Sequence, residues 1–280
     1  MEKLQAALAR AREMRESQDG AGPGKPVGAV KTARGKARDA RVAQTLAEVW
    51  DRLPAANLDP KRMHQARVYS GAAGTDSQAF DILRAKTLLE MKRQGWTRIG
   101  VTSASPGCGK TTLVCNIIAG LSRQPEMRGI LFDLDLRRPS VAKFFGIKSS
   151  HSVVDVLAGQ VDFAHQAVRI ADNAAISVAP SGIRDPASIV TRASVGEILD
   201  EIQATYKPDL MLFDLPPVLM SDEARTILKY LDAALIVAGA EQSTIAQVDE
   251  CEREVAQYTK VAGVILNKLR FAASDYGYDY

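Results

Sequence analysis

Ile99-Gly100-Val101-Thr102 is an apolar, β-prone run. It feeds Ser103-Ala104-Ser105-Pro106-Gly107-Cys108-Gly109, and the loop closes on Lys110-Thr111-Thr112 before a helical-looking run from Leu113 to Leu121. Small residues in such a loop let successive backbone N–H groups face a phosphate, and the start of the following helix adds partial positive charge. A lysine at position 110 would reach the β- and γ-phosphates of a nucleotide, and Thr111 would set its hydroxyl on Mg²⁺. The pattern departs from Gly-x4-Gly-Lys-[Ser/Thr] because Ala104 stands where the first glycine is usual. The strand before and the helix after supply the context that a phosphate loop needs. Ser105, Pro106, Gly107, Cys108, Gly109, Lys110, Thr111 and Thr112 are therefore the expected nucleotide-binding residues.

Two more apolar runs end in acid. Gly129 to Phe132 runs into Asp133-Leu134-Asp135-Leu136-Arg137-Arg138-Pro139, and Leu210 to Phe213 runs into Asp214-Leu215-Pro216-Pro217. An ionised carboxylate at the end of a buried strand is costly unless a cation or a donor faces it, and a bound Mg²⁺ would be such a partner. Asp214 is thus expected at the metal, directly or through its water. Asp133 and Asp135 stand two residues apart at a strand end, where one can serve the metal and the other a nucleophile. Helix capping would explain one such aspartate, but not three around one loop.

The elements that must position these residues alternate as in a doubly wound, mostly parallel α/β sheet. Strands are expected at 98–103, 128–134, 175–180, 209–214, 233–238 and 261–267, and helices at 44–53, 77–93, 110–122, 152–158, 187–204, 222–230 and 243–258. Ligands in such sheets sit at the carboxyl ends of the strands. A separate amphipathic helix is expected at 1–16, a flexible basic linker at 17–43, a short helical or irregular lead-in at 44–74, the main domain at 75–270 and a tail at 271–280.

Composition is that of a globular protein, with 46% hydrophobic and 25% charged residues among 280 and a net charge of +3. Residues 1–70 hold 14 Lys/Arg against 8 Asp/Glu, so the basic character lies at the N-terminal end and nothing overall points to nucleic acid. Three cysteines without metal-ligand spacing suit a reducing compartment. With no apolar leader and no run approaching the roughly 18 apolar residues of a span, the chain reads as cytoplasmic, reaching a membrane only through a partner or surface attachment.

With these residues quoted, the chain resembles the bacterial tyrosine kinases, the BY-kinase family of capsule and exopolysaccharide autokinases. The likeness rests on Ser105 to Thr111, on Asp-x-Asp-x-Arg-Arg-Pro at Asp133 to Pro139, and on the hydrophobic-Asp-x-Pro-Pro run at Leu210 to Pro217 followed by Asp222. Asp185-Pro186-Ala187-Ser188 and Gly263 to Asn267 extend it. The family ends in a tyrosine cluster that is its autophosphorylation substrate, and three of the seven tyrosines here, Tyr276, Tyr278 and Tyr280, lie in the last five residues, beside Asp275 and Asp279.

The resemblance implies a P-loop fold and an ATP- and Mg²⁺-dependent protein-tyrosine kinase. Lys110 and Thr111 would bind phosphates and Mg²⁺, Asp135 and Asp214 would hold the metal, and Asp133 would take the tyrosine proton, with the roles of Asp133 and Asp135 exchangeable. Arg137 and Arg138 would stabilise transferring charge or grip the acidic tail, and Asn267 would hydrogen-bond the adenine. Implied partners are a membrane polysaccharide co-polymerase on a separate chain, which would recruit the kinase to the inner face of the cell membrane, a second copy for phosphorylation in trans, and a cognate tyrosine phosphatase.

Two positions depart from the family. Its usual Glu before the second loop glycine is Cys108, a thiol beside Lys110 that suggests oxidative control. The Glu-x2-Arg-x2-Arg that joins subunits in a ring is here Gln78, Asp81 and Arg84. The other reading is a partitioning-type ATPase, in which nucleotide governs positioning and surface attachment; Ser105, where those ATPases carry a lysine, and the tyrosine tail favour the kinase.

Overall fold

The computed structural model describes residues 45–69, 75–179 and 194–269. The expected helix at 1–16, the linker at 17–43, the motif at Asp185 to Ser188 and the tyrosine tail lie outside them. In chain order the described residues form α1 (45–51), α2 (Pro60–Gln65), α3 (Thr75–Gln94), β1 (Arg98–Thr102), α4 (Lys110–Leu121), β2 (Gly129–Asp133), α5 (Val141–Phe145), α6 (Val153–Leu157) and α7 (Phe163–Gln166). They continue with β3 (Val168–Ala171), β4 (Ala174–Ser177), α8 (Ser194–Tyr206), β5 (Leu210–Asp214), a single 3-10 turn (Val218–Met220), α9 (Asp222–Leu228), β6 (Ala233–Gly239), α10 (Ile245–Ala256) and β7 (Lys260–Asn267).

The strands lie in the order β3-β4-β2-β5-β1-β6-β7, parallel throughout except for the β3/β4 hairpin. Strands β2, β5 and β6 are unbroken apolar runs, buried at every residue, as a parallel sheet covered by helices on both faces requires. Because β5 returns between β2 and β1, the carboxyl ends of β1, β2 and β5 stand side by side. Val101 is level with Asp214, and Asp214 is level with Asp133. The order of the sheet thus brings together residues about 80 apart in the chain.

Strand β3 and the helices α2, α5 and α7 are additions to the expected elements. Each is only four to six residues long, too short for a periodic pattern to show. The hairpin is held from outside: the Asn173 amide donates to the carbonyls of Leu121, Gln124 and Met127 at 3.0, 2.8 and 2.7 Å, which also caps the end of α4.

Residues 45–69 pack on this sheet. Trp50, 1% exposed, joins the core beneath α8, sets its ring edge-on to Tyr206 and donates Nε1–H to the Tyr206 carbonyl at 2.8 Å. Beyond it Ala55 bridges Arg169 alongside β3, covering that edge of the sheet. On the opposite face the Asn116 amide ties α4 to the backbone of Arg67 and Tyr69.

Helix α3 lies across α4, and of its motif positions Gln78 is exposed, Asp81 half-buried and Arg84 turned inward. Arg84 is 8% exposed, pairs with Asp81 at 2.6 Å, and lies over Gly120, where a Cβ would come within 2.0 Å of its Nη1. Asp81 also receives Arg123 of the segment after α4. The charges at positions 81 and 84 are therefore engaged within one subunit.

Replacing Trp50 removes a filled core position and a buried hydrogen bond. Trp50→Ala is expected to lower stability by about 3–5 kcal/mol, read as a shift of the urea midpoint; an unchanged midpoint would show that α1 is only laid against the domain.

Candidate active site

The phosphate loop leaves β1 at Ser103 and is held by its carbonyls. Cys108 Sγ donates to the Ser105 carbonyl at 3.2 Å, Gln242 Nε2 to the Pro106 carbonyl at 2.7 Å, and Asn267 Nδ2 to the Cys108 carbonyl at 2.9 Å. Gly109 caps α4 with φ at 93°, the left-handed region that favours glycine, and a Cβ there would meet Asn267 Nδ2 at 2.3 Å. The Leu113 N–H closes the first helical turn on Gly109 at 3.0 Å. The N–H groups before it are those that a helix cannot satisfy by itself, and they border a cavity of about 390 Å³.

Pro106, Gly107, Gly109, Lys110, Thr111 and Thr112 line that cavity with Asp135, Arg137, Arg138 and Ser140. Ser105 and Cys108 lie behind the loop, and Asn267 props it from the end of β7. The Cys108 thiol is wholly buried. Burial pushes it up, but hydrogen bonds centred on Ser105 and Ser243 outweigh this and leave it below the ordinary thiol value. Oxidation at Cys108 would require this loop to open first.

Behind the cavity wall, against Thr111, Asp133 and Asp214 are neighbours on β2 and β5, both with no solvent exposure. Asp133 Oδ2 accepts the N–H groups of Ser140 and Val141 at 3.2 and 3.1 Å, and Asp214 Oδ2 accepts the Thr111 hydroxyl at 2.6 Å. Their Oδ1 atoms are buried without a partner. Burial, and then the Asp214 charge, push Asp133 well above the usual carboxylate range. Burial raises Asp214 to about 7 against the lowering effect of Thr111 and Lys110.

Two orphaned carboxylate oxygens beside a threonine hydroxyl suit a small divalent cation, so the residues fit Mg²⁺. Among the described residues no group of three or more His, Cys, Asp or Glu is arranged to hold a metal. Mg²⁺ commonly draws its remaining oxygens from phosphates and water.

The opposite wall holds the cations. Arg137 pairs with Glu223 at 2.9 Å, and Glu223, 2% exposed, accepts the Ser221 hydroxyl. Burial pushes Glu223 up, but Ser221, its own N–H and Arg137 together leave it below the ordinary range. The Arg138 side chain is exposed, while its N–H donates to Asp135 Oδ1 at 3.2 Å. Glu223, Ser140 and Gln242 were not singled out in the sequence. Only Glu223 carried a signal there, the Ser221-Asp222-Glu223 start of a helix.

A parallel sheet, a phosphate loop between β1 and α4, and aspartates closing β2 and β5 define the class of the site. The model of the ParA family, described as NUBPL iron-transfer P-loop NTPase, matches residues 96–279. The chain belongs to this family. It is also similar to bacterial tyrosine kinases: 28% identical over 182 residues to tyrosine-protein kinase YwqD of Bacillus subtilis, covering 64% of this chain and 75% of that one. To tyrosine-protein kinase wzc of Salmonella typhimurium it is 28% identical over 226 residues, 78% of this chain but only 31% of that protein's length. Among solved structures, the kinase domain of VpsO superposes with a TM-score of 0.61 at 25% identity, covering 75% of this chain and 97% of that domain.

Without ligand, Asp214→Asn is expected to melt no lower than the parent, since a buried carboxyl that is costly to ionise is replaced by a neutral amide of the same shape that still accepts the Thr111 hydroxyl. Mg–ADP at a hundredfold excess over Kd stabilises the parent by about 2.7 kcal/mol and the variant by much less. Calorimetry with and without Mg–ADP reads both; a large loss of unliganded stability would mark the pair as structural.

Proposed function

We propose that the chain is a Mg²⁺- and ATP-dependent protein-tyrosine kinase that phosphorylates its own C-terminal cluster, Tyr276, Tyr278 and Tyr280, from one copy to another. The observation that carries this reading is a single cavity lined by the phosphate loop with Lys110 and Thr111 and by Asp135, Arg137 and Arg138, with the buried Asp133–Asp214 pair directly behind Thr111. Similarity to kinases in two bacterial groups supports it.

Lys110 and the N–H edge of the loop would hold the phosphates of ATP, and Asn267 would stay at the edge of the loop on the adenine side. Thr111, Asp133 and Asp214 would hold Mg²⁺, which when bound draws negative charge from the β- and γ-phosphates. Asp135 lines the cavity while Asp133 lies buried behind it. Of the two assignments that the resemblance allows, this favours Asp135 as the proton acceptor. The tyrosine oxygen forms its bond to the γ-phosphorus as the bond to the β-bridging oxygen breaks. ADP leaves with that electron pair, and the phenolic proton passes to the Asp135 carboxylate. Arg137, braced by Glu223, and Arg138 would meet the charge on the transferring group.

No described helix is long and apolar enough to cross a membrane. The proposed setting is a separate membrane co-polymerase of an exopolysaccharide or capsule system, at the inner face of the membrane, with a cognate phosphatase resetting the tail. The other reading is a nucleotide-switched positioning ATPase without phosphotransfer, built on the same P-loop NTPase class as the matched family.

Incubated with Mg-ATP, the full chain is expected to yield phosphotyrosine at 276, 278 and 280 by mass spectrometry, and none in Lys110→Met or in the triple Tyr→Phe variant. Asp135→Asn should keep Mg–ADP binding and lose about 10²–10⁴-fold in phosphotransfer. ATP hydrolysis with no phosphotyrosine would decide for the positioning ATPase.

A further inference from the structure

A second large cavity, a groove of about 560 Å³, runs between α3 and the edge strand β7. Its floor is Ile99 of β1 and Leu235 of β6, both buried, and its walls include Leu83 and Leu89 of α3 and Val264 and Ile265 of β7. A parallel sheet normally has helices over both faces. Here every residue of β6 is buried and none of β7 is.

Exposed apolar side chains concentrate on the same two elements. Of the seven large ones among the described residues, Ile82, Leu89, Val264, Leu266 and Leu269 stand on α3, on β7 or two residues beyond it. On α3, Ile82, Lys86, Leu89 and Arg93 follow the i, i+4, i+7, i+11 spacing of one helical face, a ridge about 16 Å long. That length suits a polypeptide better than a small molecule.

Two polar atoms of the lining residues lack partners. Thr87, 7% exposed, has its hydroxyl buried and unbonded, and the Trp96 indole N–H is buried likewise. Donors left in this way are costly until an acceptor reaches them. Charge points in the same direction. Lys86 and Arg93 line the groove with the single acid Glu90, which Arg93 and Gln94 already hold, and Lys260 lies over the Trp96 ring at 5.7 Å.

These features exclude two simpler occupants. A second copy related by a twofold axis would set the cations against themselves. Addition of a strand is opposed by the edge itself, because the pairing with β6 slips between Ala234 and Leu235 and Lys260 opens β7. A helix laid along the groove meets neither obstacle.

We propose that the groove between α3 and β7 docks an acidic amphipathic helix of another protein. Its apolar stripe would cover Leu83, Leu89 and Ile265, and its carboxylates would face Lys86, Arg93 and the Thr87 hydroxyl. The proposal does not rest on the kinase reading, since no part of it uses phosphotransfer.

The test places photoreactive benzoylphenylalanine at position 89 or 264 of the full chain, in the cells that make the protein. It is expected to crosslink a net acidic peptide of another protein with apolar residues at helical spacing, whereas the same probe at the exposed position of Glu126 is not. That peptide, synthesised and labelled, should bind the purified full chain by anisotropy, about tenfold more weakly in Leu89→Ala and several-fold more weakly in Lys86→Glu. Unchanged Mg–ADP affinity of both variants reports that the fold is intact. The proposal is overturned by no crosslink, by equal crosslinking from position 126, or by a crosslink to this same chain or to a basic segment. Binding that neither substitution weakens overturns it as well.

Discussion

Two carboxylates buried side by side are the constraint around which this molecule is arranged. Parallel strands β2 and β5 set Asp133 and Asp214 level with each other, where water cannot screen them. Each is only half satisfied, Asp133 by the N–H groups that open α5 and Asp214 by the first turn of α4. The remaining need is for positive charge at one point, and the phosphate loop, Lys110 and Thr111 converge there. A sheet with different strand order would separate the two acids and remove that need.

The loop itself is shaped from behind. Its carbonyls are taken by a thiol, a glutamine and an asparagine contributed by the loop itself, by the segment after β6 and by β7. Holding the acceptors on the outside turns the donor edge inward. It is this orientation, more than the glycines alone, that makes the loop fit an anion. Cys108 is one of these braces, its thiol seated between Ser105 and Ser243.

Much of this could be read from the residues. The β1-loop-α4 unit and the acids at the ends of β2 and β5 were legible because continuous apolar runs, a glycine loop and a terminal aspartate are local signals. What could not be read depends on pairing across the chain. Glu223 meets Arg137 from 86 positions away, and Gln242 meets Pro106 from 136. Nor does a two-residue spacing say that Asp133 lies behind the wall while Asp135 lines it; the turn after β2 decides that. Strand β3 escaped because four residues with an arginine among them have no alternation to see. Its partner in the lead-in, Ala55, is more than a hundred positions earlier.

Helix α4 is buried at ten of its twelve residues and is tied to α3, to Arg67 and to Asn173. Such a helix has no room to slide, so the phosphate end of the cavity is a fixed anvil. The facing wall is of another kind: the turns at 134–140 and 215–221 bear the exposed Arg138 and Met220 and are stitched to the sheet by a few hydrogen bonds. One side of the cavity is thus built by a helix locked on three sides, and the other by side chains that reach into solvent from short turns.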